Sequence, residues 1–201
     1  MERAARMTQT AVDGQLIEAC RQGDRDAYRA LFELYKDRVY SIALHYMGNE
    51  QQARDVSQQV FLKLLTRIDQ YDGTAAFSTW LYRIVANACI DAQRRSKHLV
   101  FVSDDEGSPL PDAPDPHPST EEQLLANVDE SAVRAAVRSL APKLRMAVLL
   151  RYYEELSYEE MAVALGVSKG TVASRLNRGH RILAEKLAHM KREVAEGGDP
   201  C

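Results

Sequence analysis

The chain has 201 residues, 45% hydrophobic and 27% charged, with a formal net charge of −3, a balance ordinary for globular domains. No stretch approaches the ~20 consecutive apolar residues of a bilayer span, and residues 1–15 carry Arg3 and Arg6 without an apolar core, so neither a membrane helix nor a secretory signal is expected. Three scattered cysteines, Cys20, Cys89 and Cys201, exclude a disulfide scaffold and a CxxC metal knuckle and suit a reducing cytoplasm, and five histidines without ligand spacing argue against a metal site.

The charge is unevenly spread. Residues 1–98 carry 14 Lys/Arg against 12 Asp/Glu, residues 99–130 none against nine, and residues 131–201 12 against eight. An acidic middle between two mildly basic ends reads as two modules and a linker, with polyanions as partners for the ends. The middle also holds Pro109, Pro111, Pro114, Pro116 and Pro118, five of the seven prolines. Such a stretch cannot bury enough apolar surface to fold alone, so roughly 99–118 is expected to be an extended tether.

In the first module, Leu31, Tyr35, Val39, Ile42 and Tyr46 recur at steps of three and four, the stripe of an amphipathic helix. Asp24 is its expected N-cap, and Gly48-Asn49 its stop and the next start. Ala53, Val56, Val60, Leu64 and Ile68 form a second stripe. A break at 71–74 precedes a third helix expected from near Ser78, through Leu81, Ile84, Val85, Ala88 and Ala92.

In the second module, Ser119 and Glu122 have capping-box spacing before a helix expected to reach about Leu140, and Pro142 suits the first turn of the next. Ser157-Tyr-Glu-Glu160 is a further capping box, Met161, Ala162 and Leu165 form a short apolar face, and Gly166 ends the helix. Ser168 then caps a longer helix carrying Val172, Leu176, Leu183 and Leu187, with seven Lys/Arg against one Glu from 168 to 192. Short helix, glycine turn and longer basic helix make the helix-turn-helix pattern, so duplex DNA is a natural ligand. The expected fold is all-α: two small helical domains on a flexible acidic, proline-rich linker.

Two separated segments carry a family resemblance. Asp55-Val-Ser-Gln-Gln-Val-Phe-Leu-Lys63, Phe77-Ser-Thr-Trp-Leu-Tyr-Arg-Ile-Val-Ala-Asn87 and Asp91-Ala-Gln-Arg-Arg95 form the first. Leu140-Ala-Pro-Lys-Leu-Arg-Met-Ala-Val-Leu-Leu-Arg151, Leu156-Ser-Tyr-Glu-Glu-Met-Ala162 and Gly170-Thr-Val-Ala-Ser-Arg175 form the second. In this order they resemble regions 2 and 4 of the sigma-70 superfamily, specifically the compact extracytoplasmic-function (ECF) sigma factors. The resemblance implies a tail at 1–14, region 2 at 15–98, the linker at 99–128, region 4 at 129–192 and a tail at 193–201.

It also implies roles. A protein that opens a promoter needs aromatic and amide groups beside a basic surface, because unstacked bases must be stacked upon and read at their edges. By resemblance, residues 71–78 form the loop that takes a flipped base of the −10 element. Tyr71, Trp80, Ile84 and Asn87 would serve that site, and Arg94 and Arg95 would hold the backbone. Phe77 is read as structural. Asp55, Gln58 and Gln59, on a polar side of the second helix, would dock on the clamp helices of core RNA polymerase, region 4 meeting its flap; the family commonly has Gln-Glu where this chain has Gln58-Gln59. Lys169, Thr171, Ser174, Asn177 and Arg178 would face −35 bases, with Arg175 on phosphate. The family usually has Lys or Arg at the place of Ala173. The resemblance further implies a non-catalytic subunit without cofactor, controlled by an anti-sigma factor. The acidic linker (Asp104, Asp105, Glu106, Asp112, Asp115) would thread basic channels of the polymerase.

Two other readings stay open at this level. A two-domain transcriptional regulator would bind a palindromic duplex without polymerase. An enzyme would use the cluster Glu154, Glu155, Glu159 and Glu160, although Glu160 is the partner of Ser157 and the others read as surface charges at a helix start. Cys20 and Cys89 occupy apolar positions and read as packing residues.

Overall fold

A computed structural model of the chain describes residues 14–102 and 121–196, and their regular elements are helices. Residues 14–21 form α1, followed by α2 (Arg25–Met47), α3 (Glu50–Arg67), a 3-10 turn at Ile68–Gln70 and α4 (Phe77–Val102). The second module has α5 (Glu121–Arg138), α6 (Pro142–Tyr152), α7 (Tyr158–Leu165) and α8 (Lys169–Glu196). The linker carboxylates Asp104 to Asp115, Ser119, Cys201 and most of both tails lie outside the described residues.

The helix boundaries follow from local chemistry. The Asp24 carboxylate accepts from the amides of Asp26 at 2.8 Å and Ala27 at 3.2 Å, satisfying two of the free donors that open α2. Gly48 closes α2 with φ of 72°, a left-handed conformation that side chains disfavour, and a Cβ there would also collide with the Arg138 side chain. Asn49 accepts from the Gln52 amide at 3.0 Å and opens α3. Ser157 and Glu160 form the full reciprocal box: the Glu160 amide donates to Ser157 Oγ at 3.2 Å and the Ser157 amide to Glu160 Oε2 at 2.8 Å. Gly166, with φ of 63°, caps α7.

Some bounds differ from expectation. α4 starts at Phe77 and α5 ends at Arg138. α4 also runs to Val102, so helical backbone enters the start of the 99–128 stretch read as linker, whereas α5 begins at Glu121, beside the start expected from Ser119 and Glu122. Residues 99–102 contain neither proline nor glycine, so nothing within them breaks the helix.

The N-terminal core is the predicted stripe: Leu31, Tyr35, Val39, Ile42 and Tyr46 of α2 pack with Val56, Val60 and Leu64 of α3 and Leu81, Val85 and Ala88 of α4, all buried. Cys20 and Cys89 are buried among them as packing residues, and burial pushes the Cys89 thiol up to about 12. In the second module, Met146, Leu149, Leu150, Met161, Val172 and Leu176 are buried. Each such side chain adds roughly 1.5–3 kcal/mol relative to exposure.

The modules pack against each other, α4 along α7 and α2 against α5 and α6. The Arg145 side chain, 7% exposed, reaches from α6 into this seam. Its guanidinium donates to the Tyr46 carbonyl at 2.8 Å, to the Leu140 carbonyl at 3.2 Å and to the Arg138 carbonyl, and stands 5.0 Å from the Tyr46 ring centroid. One cation thus caps the carboxyl ends of α2 and α5, where unpaired carbonyls and helix dipoles favour positive charge. A second polar contact corrects the surface reading of Glu154. Its carboxylate is half-buried and accepts the Tyr82 hydroxyl of α4, because the turn after α6 folds it inward. His45 and Tyr153 stack nearby with centroids 4.1 Å apart.

Candidate nucleic-acid interface

On α3, Gln59, Lys63 and Arg67 recur every four residues and so share one side of the helix. Between α3, the 3-10 turn and α4 lies a pocket of about 240 Å³ lined by Lys63, Arg67, Gln70, Trp80, Arg83, Ile84 and Asn87. Ile84 is buried, Trp80 half-buried, and Arg83 and Asn87 exposed. Three cations, two amides and an indole converge there without a carboxylate, an arrangement suited to a polyanion that offers unstacked bases. The structure therefore brings Trp80, Ile84 and Asn87 together and adds Lys63, Arg67, Gln70 and Arg83. The four-residue recurrence of basic residues on α3 was the readable signal for two of these.

Tyr71 supports the pocket from behind. Its hydroxyl donates to the Ala75 carbonyl at 2.7 Å, and its ring lies 5.4 Å from Phe77 and 5.6 Å from Trp80, centroid to centroid. Phe77 is buried, as expected, against Tyr35 and Trp80. The loop is tied by Asp72, whose carboxylate accepts from the Thr74 amide at 3.0 Å and hydroxyl at 2.7 Å, bonds that hold its pKa below the usual range. On the other side of Tyr71, a cleft of about 610 Å³ opens toward Ile17, Arg21, Asp69 and Gly73.

Arg94 and Arg95 are exposed farther along α4. Arg94 stands 3.5 Å from Asp91 of its own helix, whereas Arg95 donates to Gln59 Oε1 of α3 at 2.9 Å. Asp55 and Gln58 are exposed on α3, and the same helix side continues into Leu62, 62% exposed, and Leu65. Phe61 beside them stacks edge-on with Phe32 at 4.7 Å. Leu62 and Leu65 were not singled out in the sequence; apolar residues off the buried stripe were their signal.

In the second module, buried Val172 and Leu176 hold α8 on α6 and α7. Ser174, Asn177, Arg178 and Arg181 are exposed, at spacings that share a face. Arg175 is half-buried, as is Thr171, whose hydroxyl lies 3.0 Å from Ser168 Oγ. Lys169 is exposed and ion-paired with Glu159 of α7. The four glutamates of the enzyme reading are thus dispersed: Glu154 faces Tyr82, Glu159 faces Lys169, Glu160 caps α7, and Glu155 is exposed at φ of 53°. Among the described residues, no group of three or more His, Cys, Asp or Glu could hold a metal ion, and no helix is long and apolar enough to cross a membrane.

Residues 31–98 match the family pattern of Sigma-70 region 2, and residues 130–183 that of Sigma-70, region 4. The chain is 31% identical over 176 residues to the ECF RNA polymerase sigma factor SigW of Bacillus subtilis, covering 85% of this chain and 94% of that protein. It is 32% identical over 190 residues to the ECF RNA polymerase sigma-E factor of Escherichia coli K12, covering 90% and 97%. The chain belongs to the ECF sigma factors of the sigma-70 family. This sigma factor is a promoter-specificity subunit that directs core RNA polymerase to promoters. Its fold is similar to that of the sigma factor RpoE in complex with the anti-sigma factor NepR from Bartonella quintana, at a TM-score of 0.62 and 22% identity over 80% of this chain and 96% of that one. CnrH in complex with the cytosolic domain of CnrY gives the same TM-score and identity, covering 87% and 96%.

Proposed function

We propose that this ECF sigma factor reads its promoters with two separate surfaces and performs no chemistry itself, the polymerase carrying out nucleotidyl transfer in the cytoplasm. Residues 15–98 act as region 2 and 129–192 as region 4, with 99–128 connecting them and tails at 1–14 and 193–201. The α3–α4 pocket takes an unstacked −10 base: Trp80 and Ile84 supply apolar contact, Asn87 reads the base edge, and Lys63, Arg67, Arg94 and Arg95 follow the backbone. Tyr71 braces the loop at 71–78 that borders this site. The exposed residues Ser174, Asn177 and Arg178 of α8 enter the major groove of the −35 element, with Lys169 and Thr171 at its start and Arg175 on phosphate. Asp55 and Gln58, continued by Leu62 and Leu65, dock on the polymerase clamp helices, together with Gln59 at their edge, and region 4 meets the flap.

The observation that carries this reading is the pocket, in which cations, amides and an indole meet within the stretch that matches region 2. One solved structure of similar fold is a sigma factor in complex with an anti-sigma factor, and a second, CnrH, is likewise held by another protein, which supports control of this chain by such a partner. The test is transcription in vitro by bacterial core polymerase on a library of random promoters, with and without the chain. Starts that require the chain and share two spaced upstream elements are expected. Duplex binding without dependent starts would replace this reading with a polymerase-independent regulator.

A further inference from the structure

The groove between α3 and α4 has a terminus that the base pocket does not use. Along α3 the side chains on this side are Gln59, Lys63 and Arg67; along α4, Trp80, Arg83 and Asn87 lead toward Arg95, with Asp91 one turn before it and paired to Arg94. The two rows meet where Arg95 donates to Gln59 Oε1 at 2.9 Å across 36 residues of sequence. No carboxylate lines the pocket, and among the described residues none is ion-paired with Arg95. Its neighbour Arg94 differs, facing Asp91.

We propose that Gln59 is a positioning residue for promoter DNA: its neutral amide oxygen holds the Arg95 guanidinium in line with Lys63 and Arg67 without neutralising it. An arginine carries five N–H donors in a fixed fork, so one bond to Gln59 leaves the others for a phosphate. A carboxylate at position 59 would orient the arginine equally well but would cancel the charge that attracts the phosphate. An aliphatic residue would keep the charge and lose the orientation. Gln59 thus serves the DNA side of α3 as well as lying beside the proposed polymerase face. The inference rests on the reading of Arg95 as a backbone contact, and the variants separate the two.

Holoenzyme is assembled with Gln59→Glu, Gln59→Leu, Arg95→Ala and Gln59→Glu/Arg95→Ala chains, each first titrated to saturation with core polymerase. Binding to a promoter fragment recovered from the random library is then measured from 50 to 300 mM salt. Arg95→Ala is expected to reduce the slope of log affinity against log salt by about 0.7–0.9, one phosphate contact. Gln59→Glu should reduce it by the same amount, and the double variant should lose no more. Gln59→Leu should keep the slope and weaken binding about three- to tenfold. A slope that falls for Arg95→Ala but is unchanged in Gln59→Glu, with unweakened binding by Gln59→Leu, overturns the role of Gln59 and leaves the Arg95 reading standing. An unchanged slope for Arg95→Ala overturns both. Effects of the Gln59 variants confined to the core titration place that side chain on the polymerase face alone and also overturn the proposal.

Discussion

The Tyr82 hydroxyl of α4 donates to the Glu154 carboxylate across the seam between the two modules. Burial raises the Glu154 pKa, while the Tyr82 bond and the charge of Arg38 oppose that rise. A carboxyl raised in the folded state adds stability below the ordinary glutamate range and loses it as pH rises through the folded value. The ionised form is therefore the one that needs Tyr82. Tyr82→Phe should cost about 1–3 kcal/mol at pH 7 and less near pH 4. Glu154→Gln retains an acceptor and removes the buried charge, so it should change stability by less than about 1 kcal/mol at pH 7 and flatten the pH dependence. Urea unfolding followed by circular dichroism at both pH values checks this. An equal loss at both in Tyr82→Phe would remove the ionised carboxylate from the explanation.

Arg145 should be the most sensitive residue of the seam. It holds carbonyls at the ends of α2 and α5 together, and its own burial pulls its pKa below the usual arginine value. Arg145→Met conserves much of the volume but strands the Tyr46, Arg138 and Leu140 carbonyls, at a cost of about 3 kcal/mol. Arg145→Lys should recover less than half, since an ammonium lacks the fork that spans two helix ends. The same urea measurement decides; a Lys variant as stable as the native chain would show that charge alone suffices.

What was legible beforehand follows from sequence separation. Asp24, Asn49, Ser157 and Gly166 act within four residues of themselves, and the stripes of α2 and α3 repeat within one helix, so caps, stripes and the helix-turn-helix could be read directly. Asn87, Ile84 and Trp80 were named by the family resemblance of the 77–87 segment, and one pocket lines all three because they lie on one helix. The remaining contacts join distant stretches: Arg145 to Tyr46 over 99 residues, Tyr82 to Glu154 over 72, Gln59 to Arg95 over 36. No period or cap encodes these, and Glu154 looked like any surface glutamate because its burial depends on a helix from the other module.

The proposed base pocket separates two kinds of substitution. Lys63→Ala and Arg67→Ala remove charge alone and should weaken holoenzyme binding to all promoters alike, each lowering the salt slope by about 0.7–0.9. Asn87→Ala should leave that slope intact and relax the base preference at one −10 position by about 1–3 kcal/mol. Trp80 is the only tryptophan of the chain, so its fluorescence in the free chain reports contact directly: quenching by a single-stranded non-template oligonucleotide is expected with the native pocket. Asn87→Ala holoenzyme that keeps full base preference in the random library would assign base reading elsewhere.

The proposed −35 surface carries its own restraint. Lys169 opens α8, where a recognition helix meets DNA, yet its ammonium is paired with Glu159 of α7. The Lys169 bond lowers the Glu159 pKa, so the carboxylate is ionised throughout the ordinary carboxylate range and lets go of Lys169 on the acid side only as pH falls through that lowered value. Both groups are largely exposed, and the pair adds little to stability. Its effect belongs to binding. A phosphate approaching Lys169 must displace Glu159 or accept its repulsion, so Glu159→Gln should strengthen holoenzyme binding to a −35 duplex several-fold and raise the salt slope by about 0.9. Lys169→Ala should abolish that gain. Ala173→Lys, on the half-buried edge of the same helix, adds a cation while the Lys169–Glu159 pair stays in place, and should raise affinity without relieving any ion pair. Gel-shift titrations at several salt concentrations test all three. If Glu159→Gln binds no better than the native chain, Lys169 lies away from the phosphates and the entry of α8 into the groove must start further along, at Ser174.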